Sequence, residues 1–182
     1  MTLTTPLSDT ALIVVDLQRG TAGNPFFSPA DAVAERAREL TSAFRLHALT
    51  VVIATFALSR PGADGQPSRE EPDGFREPLP VLDVQPSDLR VTRPAWSAFS
   101  GTGLDKVLRD RGVTRIVLTG VATSIGVEST AREAHDLGYE IVIASDAITD
   151  LRAETHENSI QRIFPMLAQV ATTAEILAAL DH

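Results

Sequence analysis

The stretch Arg115-Ile116-Val117-Leu118-Thr119-Gly120-Val121-Ala122-Thr123-Ser124-Ile125-Gly126-Val127-Glu128-Ser129-Thr130 decides how the chain is read. Its first half is apolar and largely β-branched at successive positions, the pattern of a strand covered on both faces. Gly120 interrupts the run, and helical period follows over residues 123–137. A strand that enters a helix through a glycine turn aims backbone N–H groups beyond the strand end. Such donors can hold an anion or a developing oxyanion. The spacing is neither GxGxxG nor GxxxxGK, so neither a dinucleotide nor a P-loop phosphate is indicated.

Outward from this stretch the same alternation repeats. Apolar, β-branched runs occupy 11–15, 50–55, 89–92, 115–119 and 140–144, with a weaker sixth at 169–172. Helical period is predicted for 29–46, 102–111, 123–137, 153–164 and 173–180; Val33, Ala37, Leu40 and Phe44 form one apolar stripe. Strand and helix in alternation predict an α/β fold: a six-stranded, mainly parallel sheet flanked by helices, Rossmann-like and three-layered. A single domain over residues 1–182 accommodates it. Residues 57–88 are the exception, a long acidic loop holding six of the chain's 11 prolines. A loop of that length inside a compact domain reads as a lid, a subunit contact or disorder.

Bulk composition narrows the partners. The net charge is −8, and 16 basic residues are scattered among 24 acidic ones, which leaves no basic stripe for nucleic acid. There is no cysteine, hence no disulfide, thiolate metal site or thiol nucleophile. No apolar stretch is long enough to cross a membrane, and the first residues carry no signal pattern. A cytoplasmic protein with no membrane partner is expected. His47, His135, His156 and His182 have no partner at metal-ligand spacing, so neither a metal nor another cofactor is expected.

In open parallel sheets, ligands bind beyond the carboxyl ends of the strands. That rule nominates Asp16 to Gly20 after the first run, with Gln18 two residues beyond Asp16, Phe56 to Arg60 after the second, Arg93 to Phe99 with Trp96 after the third, Gly120 to Gly126 after the fourth and Asp146 to Asp150 after the fifth. The same residues have plainer readings: a turn or cap for Asp16, an ordinary salt bridge for Arg93. A small-molecule substrate is the partner such a cleft would take.

Placed in chain order, these segments resemble the isochorismatase-like hydrolase family, which includes nicotinamidases and other amidases. The resemblance spans nearly the whole chain. It rests on Val15-Asp16-Leu17-Gln18, on Arg93 followed by Trp96-Ser97-Ala98-Phe99 and Thr102-Gly103-Leu104, and on Gly120-Val121-Ala122-Thr123 with Ser129-Thr130-Ala131. It continues through Gly138-Tyr139, Asp146-Ala147-Ile148-Thr149-Asp150, His156 and Thr172-Thr173-Ala174-Glu175.

The resemblance implies that the catalytic aspartate is Asp16, that Arg93 replaces a catalytic lysine, and that Gly126 replaces the nucleophilic cysteine. It places Gln18, Trp96, Phe99, Ala122, Thr123 and Ser124 around the substrate, puts a non-proline cis peptide before Ala122, and implies a homo-oligomer. The family's thioester route is closed to a chain without cysteine. Glycine at position 126 is what true isochorismatases look like. These cleave a vinyl ether with water and a protonated aspartate, although Ala122 and Ser124 lack the aromatic and imidazole groups they tend to carry. A guanidinium beside Asp16 lowers its pKa by roughly 1 to 3 units and opposes that route, because an arginine, unlike a lysine, cannot be neutralised by burial. Thr123, Ser124 and Ser129 are substitute nucleophiles with no adjacent histidine base in the sequence.

Two functions follow as expectations. The first is a hydrolase acting on a small anionic or carbonyl compound without a covalent intermediate, with Asp16 as acid or base and Arg93 as anion clamp; vinyl-ether hydrolysis of the isochorismate type is one form of it. The second is a catalytically inactive relative that binds a small carboxylate or serves an oligomer, with Asp16 and Arg93 locked as a salt bridge.

Overall fold

The computed structural model describes residues 9–58 and 70–181. Strand β1, Thr10–Val15, is buried at every position. Alternate side chains feed two cores: Leu12 and Val14 pack on one face of the sheet, Ala11, Ile13 and Val15 on the other. That two-sided burial is why these strands read as continuous apolar runs.

The remaining strands are β2 (Thr50–Phe56), β3 (Leu89–Arg93), β4 (Arg115–Val121), β5 (Glu140–Thr149) and β6 (Gln169–Ala171). They form one six-stranded sheet in the order β3-β2-β1-β4-β5-β6, and every pair is parallel. The expected α/β sheet is therefore present and wholly parallel. Helices α1 (Arg19–Ala22) and α2 (Ala30–Leu46) follow β1, and α3 (Leu104–Asp110) follows β3. Beyond β4 come one π turn (Thr123–Val127) and α4 (Glu128–Asp136). Then come α5 (Ala153–Asn158), a second π turn (Ser159–Ile163), α6 (Phe164–Leu167) and α7 (Thr173–Leu180). Helices α2 and α7 cover one face of the sheet, and α3, α4 and α6 the other. None of the described helices is long and apolar enough to cross a membrane.

Several boundaries differ from the pattern reading. Strand β5 runs on to Thr149 through a register shift opposite Leu118 and Gly120. The polar pair Ser145-Asp146 masked this continuation, because Asp146 leaves the core to accept hydrogen bonds from the N–H and hydroxyl of Thr173 at the start of α7. Thr172 caps that helix reciprocally with Glu175, as the T-x-x-E spacing allows. Of the long loop, residues 59–69 lie outside those described. Residues 70–88 are no free excursion: Pro78 bridges Gln18, the Leu79 N–H donates to Leu17 O, and Leu82 is fully buried. Arg45 on α2 ties down the end of this segment by two hydrogen bonds to Asp88.

Neighbouring β1 strands diverge in connection: β2 lies to one side and β4 to the other. This is the switch point at which a crevice opens beyond the strand ends. Gly120 makes the close approach possible. It pairs with Val15 in register at φ +116°, and a Cβ there would stand 2.0 Å from Val15 O. Gly120→Ala is expected to lower unfolding free energy by at least about 3 kcal/mol, combining backbone overlap with a disfavoured φ. Urea denaturation measures this; a loss under about 1 kcal/mol would contradict the close packing.

Candidate active site

Asp16 follows β1 directly and takes a left-handed turn, φ 53°, a conformation that aspartate tolerates better than most residues. Its N–H still pairs with Ala54 O on β2, and its carbonyl accepts from the Gln18 N–H. The Thr21 hydroxyl also donates to that carbonyl. The turn lifts the carboxylate out of the sheet at the floor of the crevice. There Arg93, the last residue of β3, meets it with Nε donating to Oδ1 at 2.9 Å and Nη2 donating to Oδ2. Nη1 donates to Ala95 O, and the guanidinium carbon sits 4.9 Å from the centre of the Phe56 ring. Both partners are buried, Asp16 with 4% and Arg93 with 3% of its surface exposed.

Burial is the largest influence on Asp16 and pushes its carboxyl from 3.8 up to about 6, while the hydrogen bonds and charge of Arg93 pull downward. The sequence reading expected the lowering by Arg93, which is present, but burial outweighs it. That reading counted the neighbouring charge but not the water lost on folding, which only the packed structure fixes.

Above this pair lies a cavity of about 240 Å³. Every one of the first five strand ends contributes to it: Thr21, Asn24 and Phe26 after β1, Phe56 on β2, and Trp96 after β3. Val121, Ala122, Ile125 and Gly126 line it after β4, and Leu151 after β5. The peptide between Val121 and Ala122 is cis, in agreement with the resemblance. Trp96 stands 63% exposed at the mouth.

Of the nine residues singled out in the sequence, Asp16, Arg93, Gly126, Trp96 and Ala122 line the cavity. The other four have structural positions. Phe99 is a core residue, 5% exposed and stacked on Tyr139, their ring centres 5.6 Å apart. Gln18 is fully buried and uses its amide to bind Phe56 O, Phe75 O and the Phe56 N–H. Ser124 offers its N–H to the Asp150 carboxylate. Thr123 is fully buried with its hydroxyl 2.9 Å from His156 Nδ1. A histidine does therefore stand beside Thr123, which sequence distance concealed. The pair lies outside the cavity lining, so it reads as an anchor for the π turn.

The sequence reading missed Thr21, Asn24, Phe26 and Leu151, whereas Val121 and Ile125 lie within the nominated segment Gly120 to Gly126. The aromatic pair Phe26-Phe27, set among Gly, Asn, Pro and Ser, was the available signal. Among the described residues no three His, Asp or Glu side chains are gathered as metal ligands would be.

Gly126 and Arg93 share one space. A Cβ at position 126 would stand 2.9 Å from Arg93 Nη2, 3.0 Å from Val15 Cγ1 and 3.2 Å from Asp16 Oδ2. The guanidinium and a side chain at 126 compete for the same volume.

A parallel sheet with a carboxylate at the β1 end, a long cation from β3 and a cis turn after β4 defines the class. The chain belongs to the isochorismatase family of hydrolases: the isochorismatase domain model matches residues 10–175. It is 41% identical to the uncharacterised isochorismatase family protein YecD of Escherichia coli O157:H7, covering 94% of this chain and 96% of that protein. It is 29% identical to the ureidoacrylate amidohydrolase RutB of Variovorax paradoxus, over 79% of this chain and 70% of RutB. An isochorismatase family protein of Burkholderia thailandensis superimposes with a TM-score of 0.90 at 40% identity, covering 96% of this chain and 97% of that one.

Two outcomes test the geometry. Gly126→Ala is expected to cost about 1–3 kcal/mol, and the double variant with Arg93→Lys less than the sum of the single changes, by at least about 0.5 kcal/mol. Strict additivity in a denaturation cycle would mean that the two positions do not compete. The second concerns pH. Because folding raises the Asp16 pKa, its contribution favours the native state below 3.8 and is lost as pH climbs through about 6. Relative to Asp16→Asn, the wild type should lose about 3 kcal/mol between those limits. A flat difference across that window would show that burial does not raise the carboxyl.

Proposed function

We propose that this chain is a cysteine-independent hydrolase of small carbonyl compounds, with Asp16 as the general base. One observation carries the reading: a buried carboxylate on the floor of an open cavity, with a pKa of about 6. A base whose pKa lies just under the working pH is mostly ionised yet still accepts a proton readily. Asp16 takes a proton from water as the water oxygen attacks the carbonyl carbon. It returns that proton to the leaving group as the tetrahedral intermediate collapses. Arg93 holds the carboxylate in register, and its guanidinium N–H bonds not spent on Asp16 and Ala95 are the donors it has left to offer the developing oxyanion. Kinship with an amidohydrolase, RutB, supports carbonyl chemistry, and the lack of any cysteine removes a thioester.

Vinyl-ether cleavage of the isochorismate type uses the same carboxyl in its protonated form. Roughly one molecule in ten carries that proton at pH 7 when the pKa is about 6. The two routes have opposite pH limbs. A second reading, an inactive member that binds a small carboxylate or supports an oligomer, draws on the bidentate Asp16–Arg93 contact.

The test is a panel of small esters and amides, with isochorismate alongside, assayed across pH 5–8 as a suggested range. Expected is kcat/KM that falls on the acid side with an apparent pKa near 6 and drops by about 100-fold or more in Asp16→Asn. A rate that instead rises toward acid assigns the vinyl-ether route. No turnover of any compound favours the inactive reading.

A further inference from the structure

We infer that the cavity selects an uncharged carbonyl compound with a compact apolar body and rejects the carboxylated analogue of the same molecule. The turnover half of this inference rests on the hydrolase reading; the binding half does not.

Charge is the first argument. Among the described residues lining the cavity, Asp16 and Arg93 alone bear charge, and each is the other's partner. Three of the arginine's nitrogens are engaged, two by Asp16 and one by Ala95 O, and its carbon rests on Phe56. The expected anion clamp is therefore committed before a ligand arrives. Arg19, on the short helix beside the crevice, is turned outward and paired with Glu77 at 2.8 Å. A carboxylate entering the cavity would lose water, meet no unpaired cationic side chain among the described lining residues and approach the like charge of Asp16.

The walls are the second argument. Phe26, Phe56, Val121, Ile125 and Leu151 enclose the space above the pair. Among the described lining residues the remaining polar side chains are Thr21, whose hydroxyl donates to Asp16 O and Gln18 O, and, exposed at the mouth, Asn24 and the indole of Trp96. A carbonyl directed at Arg93 finds N–H donors; the other polar side chains among the described lining residues, apart from the Thr21 hydroxyl already bonded to the backbone, stand at the mouth. At about 240 Å³, the volume is below that of pockets for drug-sized ligands, so the apolar body is small.

The probes are acetanilide and 4-acetamidobenzoate for binding, with phenyl acetate and 4-acetoxybenzoate for turnover, each rate corrected for spontaneous hydrolysis. Titration calorimetry at pH 7.5 should show acetanilide bound at least about tenfold more tightly than its carboxylate. The Leu151→Arg variant places a cation on a wall residue that is 42% exposed, and it should narrow or reverse that preference. Equal or tighter binding of 4-acetamidobenzoate by the wild type, no binding of either anilide, or an unchanged preference in Leu151→Arg would overturn the inference. Selective binding without turnover of phenyl acetate would remove the hydrolase reading and leave the selectivity standing. Equal corrected turnover of both esters would do the reverse.

Discussion

Arg93 lies on the edge strand β3 and Asp16 at the end of β1, so the guanidinium crosses the whole of β2 to reach its partner. That span is two strand spacings, roughly 10 Å, and only a long side chain lying over Phe56 covers it. The resulting ion pair is almost wholly buried. Removing two charges from water is expensive, and a buried pair holds together only where geometry and further hydrogen bonds are good. Here Arg93 meets that condition with a two-pronged contact and a third bond to Ala95 O.

Much of the surrounding architecture follows from keeping that pair in place. Gly126 leaves room for the guanidinium. The π turn that carries Gly126 is held from outside the cavity, by Asp150 on the Ser124 N–H and by His156 on Thr123. Gln18 locks the ends of β1 and β2 to residue 75 through every polar atom of its amide. These buried polar groups specify position; they do not face the cavity. The same pair sets the chemistry available, because a carboxylate that is desolvated but still bound to a cation titrates between the values that either influence alone would give.

Membership of the isochorismatase family accounts for the sheet order and the placement of the crevice. It does not by itself define the reaction of this chain, in which cysteine is absent. Within a shared fold, function resides in the particular side chains at the site. The combination of Gly126 with Arg93 exchanges space at one position for length and charge at another.

The sequence by itself determined the alternation of strands and helices, the parallel sheet and the strand ends at which a crevice opens, because these depend on apolar period and on glycine at Gly120. Through the resemblance to a known family it also implied that Asp16, Arg93 and Gly126 belong together. It could not separate Trp96, which stands at the mouth, from Phe99, three residues on and buried in the core. Nor did it reveal that Leu151 and Phe26 line the same cavity, or that His156 lies against Thr123. Those facts depend on which side chains turn inward at irregular strand ends, where no period applies. The raised pKa of Asp16 belonged to tertiary structure alone, since it follows from the burial of the carboxylate.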